Sequence, residues 1–193
     1  MKHFSLFLAC TAACGIYSLE ASAANNKKKE RPNILWVTFE DTSSYEFGCY
    51  GNKDVHTPNA DSLAAQGIQF MNAWSVAPQS SPARSSLITG CYAPTYGMDV
   101  HPVSYDTPAD IFFPQRLREA GYYCTNNSKT HYNSTNNNKA CWDECTKTAS
   151  YNSPKRGKDQ PFFAVFNTVT SHMGRVRTFH TDGRRDYTKE GIY

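Results

Sequence analysis

Short apolar runs alternate with helix-type segments along this chain, and this alternation is the feature that most limits the folds it can adopt. Residues 33–40 are nearly continuous in apolar, β-branched and aromatic side chains, and residues 161–168 repeat the pattern. Apolar runs of this length are typical of strands buried on both faces. Strands that alternate with helices predict an α/β fold, with a mostly parallel sheet flanked by helices.

Proline and glycine mark the ends of the segments between these two runs. Proline is favoured at the first position of a helix, and glycine just past its last turn. On these signals we predict helices over residues 57–67, 82–90 and 114–121, and further strands over residues 68–76 and 122–127.

The N-terminus has the features of a secretory leader. A weakly basic start precedes a mostly apolar stretch, and Ala21-Ser22-Ala23 fits a cleavage site. The apolar stretch is too short and too interrupted for a membrane span. We therefore expect a signal peptide over residues 1–23, a basic linker over 24–30 and a periplasmic or secreted mature region over 31–193. A lipoprotein signal ending at Cys14 is the minor alternative.

Charge and cysteine content narrow the classes of partner. The net charge of +3 follows no stripe, and the one dense basic run, residues 27–29, is interpreted as a solvated linker rather than a nucleic-acid patch.

Five of the seven cysteines follow the predicted leader, and an odd number leaves at least one thiol unpaired. Cys141 and Cys145 lack a second Cys/His pair, which favours a local disulfide or two ordinary thiols over zinc.

Three polar clusters follow predicted strands: Glu40 with Asp41, Lys129 with His131, and His172. Sites of parallel α/β sheets collect at the carboxyl ends of the strands. The adjacent acids are hard oxygen ligands that suit calcium or magnesium, although a solvated turn is the alternative. A lysine and a histidine two residues apart can neutralise a tetrahedral anion and handle a proton.

The motif around Ser80 and Ser81 offers a nucleophile beside an anion site. If Pro82 begins a helix, Ser80 lies at its N-terminal edge, where free N–H groups favour an anion. Arg84 adds a permanently charged, bidentate donor. An ordinary serine N-cap with a solvated arginine is the alternative. The residues alone do not decide which of the two serines is the nucleophile.

Taken in order, these pieces resemble the N-terminal half of a type I sulfatase, within the alkaline-phosphatase-like superfamily. The resemblance rests on RPNILWVTFED, TPNADSLAAQG, SSPARSSLITG, RLREAGYYCTNNSKTH and QPFFAVFNTVTSH, and it covers roughly residues 31–180. The segments TFEDTSS and TNNSKTH resemble the branch that includes heparan N-sulfatase-like enzymes.

The resemblance selects one of the two serines. In this family the residue two before the proline is oxidised to Cα-formylglycine (3-oxoalanine), whose hydrate is the nucleophile. That residue is Ser80, and Ser81 takes the variable position. Serine-type sulfatases resemble bacterial proteins matured by a radical SAM enzyme, so the resemblance implies a maturase of this type as a partner.

The resemblance also implies roles for the other site residues. Glu40 and Asp41, with the modified Ser80, would bind calcium or another divalent cation. Roles in holding the formylglycine, gripping the sulfate and protonating the leaving group are implied for Arg84, Lys129, His131 and His172.

Part of the family's pattern is missing from this chain. A second metal motif, Asp followed by Asn or His and Gly, normally comes later, and Asp182-Gly183 comes too early to supply it. We therefore expect a truncated catalytic region that binds calcium poorly by itself. The implied activity is hydrolysis of sulfated substrates, glycans in particular. The alternatives are a phosphohydrolase that uses unmodified Ser80, and an inactive secreted fragment or binding module.

Overall fold

A computed structural model of the protein describes residues 31–108, 110–136 and 141–173. The predicted leader and linker lie outside the described residues. The regular elements are β1 (Ile34–Phe39), α1 (Pro58–Gln66), α2 (Ser80–Thr89), α3 (Phe113–Glu119), β2 (Tyr123–Asn127), β3 (Glu144–Cys145) and β4 (Phe162–Thr168), with 3₁₀ turns at Ser44–Glu46, Gly48–Tyr50 and Ala93–Tyr96. Among the described helices, none has the length and apolar character needed to cross a membrane.

The four strands form one sheet in the order β1-β4-β2-β3, and every pairing is parallel. Trp36 of β1 pairs with Val165 of β4, and Thr125 of β2 pairs with Ala164 on the other side of β4. The predicted α/β fold with a parallel sheet flanked by helices is therefore confirmed. The two-residue strand β3 was not predicted, because so short a polar segment has no periodic pattern.

The main core lies between the sheet and helices α2 and α3. Phe163 and Val165 point to this side of β4, where Trp142 stacks on Phe163 with ring centroids 5.7 Å apart. On the opposite face Tyr151 stacks on Phe162 at 4.8 Å. The central strand is thus covered on both faces, as its continuous apolar run predicts.

Two local predictions were wrong. Residues 68–76 form no strand: Ile68 and Trp74 are 84% and 82% exposed, and no neighbouring strand pairs with them. Helix α2 begins at Ser80 rather than at Pro82. A proline is tolerated in the first turn because the N–H that it lacks would have no partner within the helix.

The cysteines behave as ordinary thiols in the described part of the chain, where no disulfide joins them. Cys145 Sγ contacts the carbonyl of Ser128 at 3.8 Å. Burial raises the pKa of Cys124 to about 12, so this thiol stays protonated at neutral pH.

Candidate active site

The carboxyl edge of the sheet gathers the predicted polar clusters because parallel strands end on the same side. Glu40 directly follows β1 and is only 5% exposed. Its two carboxylate oxygens contact Arg84 Nη1 at 3.4 Å and Lys129 Nζ at 2.6 Å. A buried carboxylate is costly unless it is paired, and these two cations supply the pairing.

Arg84 joins α2 to the segment that carries Lys129. Its Nε donates to the Thr130 carbonyl at 2.8 Å, and its Nη2 donates to the Lys129 carbonyl at 2.8 Å and to Asn167 Oδ1 at 2.8 Å. The planar guanidinium thus fixes the two consecutive carbonyls of Lys129 and Thr130. The alternative of a solvated arginine does not agree with these contacts.

Asn167 is a site residue that the sequence reasoning missed. It lies near the end of β4, where its Oδ1 also accepts from Thr38 Oγ1 of β1 at 2.9 Å. Its Nδ2 donates to Asn126 Oδ1 of β2 at 2.8 Å. One amide therefore links three neighbouring strands to Arg84. The available signal was a polar residue inside an otherwise apolar strand run.

Ser80 is the first residue of α2 and lines an open cleft of about 510 Å³. Glu40, Asp41 and Arg84 line the same cleft. The helix start brings unpaired N–H groups and the positive end of the helix dipole to this cleft. The nucleophile candidate and the acidic pair therefore share one space that favours an anion near Ser80.

The segment around His172 packs against the acidic pair. Ser171 Oγ donates to the Glu40 carbonyl at 2.6 Å, and the Met173 N–H donates to Asp41 Oδ2 at 2.7 Å. Asp41 itself has a left-handed backbone, with φ at +49°, a region that aspartate tolerates better than most residues. The structure thus brings half-buried His172 to the same sheet edge as Glu40 and Asp41.

The oxygen donors of this edge match calcium in kind but not in number. Glu40, Asp41 and Ser80 present hard oxygens to one cleft, whereas calcium takes six to eight oxygen ligands. Within the described residues, no group of three or more His, Cys, Asp or Glu side chains is placed to hold a metal ion. In the described part of the chain, Glu40, Asp41 and Ser80 are therefore the candidate oxygen donors.

His131 lies beside a second histidine that the sequence reasoning did not select. Its ring contacts the ring of His101 edge to face, with centroids 5.3 Å apart. His101 Nδ1 in turn is 2.6 Å from Ser81 Oγ. Burial, followed by the positive charge of Lys129, lowers the pKa of His131 below its usual 6.5. His131 is therefore a neutral imidazole at neutral pH.

With this geometry in place, comparison with known proteins identifies the family. The profile of the sulfatase family matches residues 32–170. The chain belongs to the sulfatase family, which confirms the resemblance noted in its motifs.

Relatives of this family share sequence and fold with the chain. An ulvan-active sulfatase of Formosa agariphila is 36% identical over 78% of this chain and 27% of its own length. An N-acetylglucosamine-6-O-sulfatase of Bacteroides thetaiotaomicron is 34% identical over 58% of this chain and 20% of its own length. The chain thus spans about a quarter of the curated relatives it matches.

Solved structures support the fold. A protein in complex with its substrate D-glucosamine-2-N,6-O-disulfate superposes with a TM-score of 0.63 at 22% identity, over 75% of this chain and 35% of that one. A 2-O glycosaminoglycan sulfatase gives 0.60 at 20% identity, over 81% and 40%. The parallel sheet and its helices are therefore those of the sulfatase fold.

Proposed function

We propose that this chain carries the nucleophile side of a sulfatase active site that releases sulfate from sulfated glycans. The proposal depends on one cleft, in which Ser80 of the serine-type signature lies beside Glu40, Asp41 and Arg84. The relatives named for ulvan and for N-acetylglucosamine 6-O-sulfate support a sulfated carbohydrate as the substrate class. The heparan N-sulfatase-like branch stays a prediction.

Ser80 is the proposed target of a radical SAM maturase, in a protein that is periplasmic or secreted. The formylglycine hydrate supplies a nucleophile that a plain serine hydroxyl does not. The chain itself places this residue at the start of α2, where the helix dipole favours the negative charge of a sulfate group. Arg84, one turn further along α2, donates to the carbonyls of Lys129 and Thr130.

Lys129 and Arg84 form the cationic side of the proposed site. The ammonium group of Lys129 has three N–H donors, and its contact with Glu40 at 2.6 Å uses one of them. The remaining donors are available to sulfate oxygens, while Arg84 fixes the Lys129 backbone. Orientation by such pre-formed contacts lowers the cost of binding a charged group.

The two histidines have separate proposed tasks. His131, with its lowered pKa, is neutral at neutral pH and can hold or accept a proton beside the sulfate. His172 follows β4 next to the acidic pair and is proposed to contact the sulfate or to protonate the leaving oxygen. Glu40 and Asp41, with Ser80, would supply part of a calcium site, whose ion would polarise the sulfate.

Mass spectrometry of the Ser80 peptide tests the nucleophile assignment. The chain would be co-expressed with a radical SAM maturase, and formylglycine would appear as a peptide about 2 Da lighter than the serine form. The modification should disappear in Ser80→Ala and persist in Ser81→Ala. Modification at Ser81, or at neither serine, would contradict the assignment.

Activity assays separate sulfatase from phosphohydrolase. Hydrolysis of an aryl sulfate by the matured chain, abolished in Ser80→Ala, would identify a sulfatase and exclude an inactive fragment. Hydrolysis of an aryl phosphate by the unmodified chain, with no gain after maturation, would favour a phosphohydrolase that uses Ser80 directly.

A further inference from the structure

His101 contacts a buried polar network that joins three segments of the chain. Ser81 is fully buried, and its hydroxyl lies 2.6 Å from His101 Nδ1. The Ser81 carbonyl accepts from Ser85 Oγ at 2.8 Å, and Ser85 Oγ accepts from the Asn133 N–H at 2.9 Å. Helix α2 and the segment after β2 are thus joined directly behind the His101 contact.

The loop that carries His101 is fixed by the same network. Asn133 Nδ2 donates to the carbonyls of Met98 and Val100, each at 2.9 Å. Asn133 is 1% exposed, so losing these bonds would leave buried polar atoms unsatisfied. The position of His101 is therefore determined both at its ring and along its backbone.

The ring of His101 nevertheless contacts a proposed site residue. It is exposed to solvent, and it contacts His131 edge to face at 5.3 Å. Its neighbour in the network, Ser81, directly follows the proposed nucleophile Ser80 along α2. His101 is exposed, yet the contact at its Nδ1 fixes the orientation of its ring beside two proposed site residues. An exposed histidine with no function in the site would not need this fixed orientation.

The chemistry of the contact indicates how His101 acts. A serine hydroxyl carries one proton, and Ser81 Oγ lies 2.6 Å from His101 Nδ1, which accepts that proton when it carries none of its own. When Ser81 donates to Nδ1, the ring proton lies on Nε2, which becomes a fixed donor. Oxygens of a sulfated sugar are suitable acceptors.

We propose that His101 is a substrate-contacting residue of this site, whose Nε2–H donates to an oxygen of the bound sulfated sugar. This assignment rests on the proposed function, since it places the sugar at the Ser80 cleft. Ser81 acts as the positioning residue that sets the tautomer and orientation of His101.

Nuclear magnetic resonance of ¹⁵N-labelled histidine rings in the full chain tests both parts. The His101 ring should show the Nε2–H tautomer, and Ser81→Ala should abolish that preference. Titration with N-acetylglucosamine 6-sulfate should shift the His101 and His131 signals together. His101→Gln should weaken binding of this sugar by about fivefold to tenfold, the loss expected for one hydrogen bond. The exposed His56 offers a matched control, and His56→Gln should bind as the wild type does.

The outcomes separate this inference from the proposed function. If His131 shifts while His101 stays unchanged, and His101→Gln binds normally, the inference is overturned and the sulfated-sugar site stands. If neither histidine shifts, both fail. Inorganic sulfate alone should shift His131 more than His101, because His101 is assigned to the sugar side. Equal binding by Ser81→Ala and the wild type would remove the positioning role of Ser81.

Discussion

Strands β1 and β4 have similar apolar sequences, are paired side by side, and yet differ in burial. On β4, Phe163, Ala164 and Val165 are 2%, 0% and 6% exposed, so both faces are covered. On β1, Leu35 and Phe39 are 55% and 49% exposed on one face. The difference is position: β4 lies between β1 and β2, whereas β1 is the edge strand of the described sheet.

This comparison shows what an apolar run can and cannot specify. Burying apolar surface is favourable by about 25 cal/mol per Å², so an apolar strand is more stable when another element packs on its faces. The sequence of the strand does not indicate which element that is. On the inner face of β1, the ring centroids of Trp36 and Phe163 lie 6.0 Å apart. On the outer face Phe39 packs edge to face against Phe47, with centroids 5.5 Å apart, yet Leu35 and Phe39 stay 55% and 49% exposed. The two faces of β1 therefore contribute unequally to stability.

The largest expected effect comes from truncating the covered strand. Phe163→Ala should lower the free energy of unfolding by about 3–5 kcal/mol, because it opens a cavity in the main core. Phe39→Ala, the matched change on β1, should cost about 1–2 kcal/mol, because Phe39 is half exposed and its ring packs edge to face on Phe47. Chemical denaturation of both variants measures the two losses. Equal losses would mean that the outer face of β1 is covered in solution, and the comparison would fail.

Local patterns predicted the sheet and the polar clusters at its carboxyl edge, whereas contacts between distant residues could not be predicted. The residues after each strand, Glu40 and Lys129, follow from the rule that parallel strands end on one side. Arg84 and Asn167 are 83 residues apart in sequence, and nothing local pairs them. The same limit hid His101, because its partner Ser81 lies on a separate element. The strand predicted over residues 68–76 was wrong because a strand-like composition forms a strand only when a neighbouring strand pairs with it.

At their carboxyl ends, β1 and β4 no longer differ as they do along their length, because polar contacts hold both strands there. Asn167→Ala removes the amide that joins Thr38, Asn126 and Arg84. It should lower the free energy of unfolding by about 2–3 kcal/mol, since buried partners lose their hydrogen bonds. Thermal or chemical denaturation measures the loss.

Exposed Asn152 provides the matched control for that experiment. Asn152→Ala should change stability by no more than about 0.5 kcal/mol. Similar losses in the two variants would show that Asn167 does not link the strand ends as described. A loss confined to Asn167→Ala would show that β1 is held at its end more firmly than along its exposed face.

The smallest effect concerns the charge cluster beyond the two strands. Lys129 lowers the pKa of His131, second only to burial, so Lys129→Met should raise that pKa toward its usual 6.5. The lowered pKa means that the folded state binds the proton less well than the unfolded chain. Stability from this group is therefore present above pH 6.5 and is lost as pH falls below it, and Lys129→Met should reduce that loss.

Titration of the His131 ring by nuclear magnetic resonance measures this change directly. Lys147 is exposed, and Lys147→Met should leave the His131 pKa where the wild type has it. Added salt should weaken any long-range part of the effect but preserve most of the Lys129 contribution, because Lys129 is only 17% exposed beside Glu40. An unchanged His131 pKa in Lys129→Met would mean that burial alone keeps this imidazole neutral. The charge of Lys129 would then act on Glu40 and not on His131.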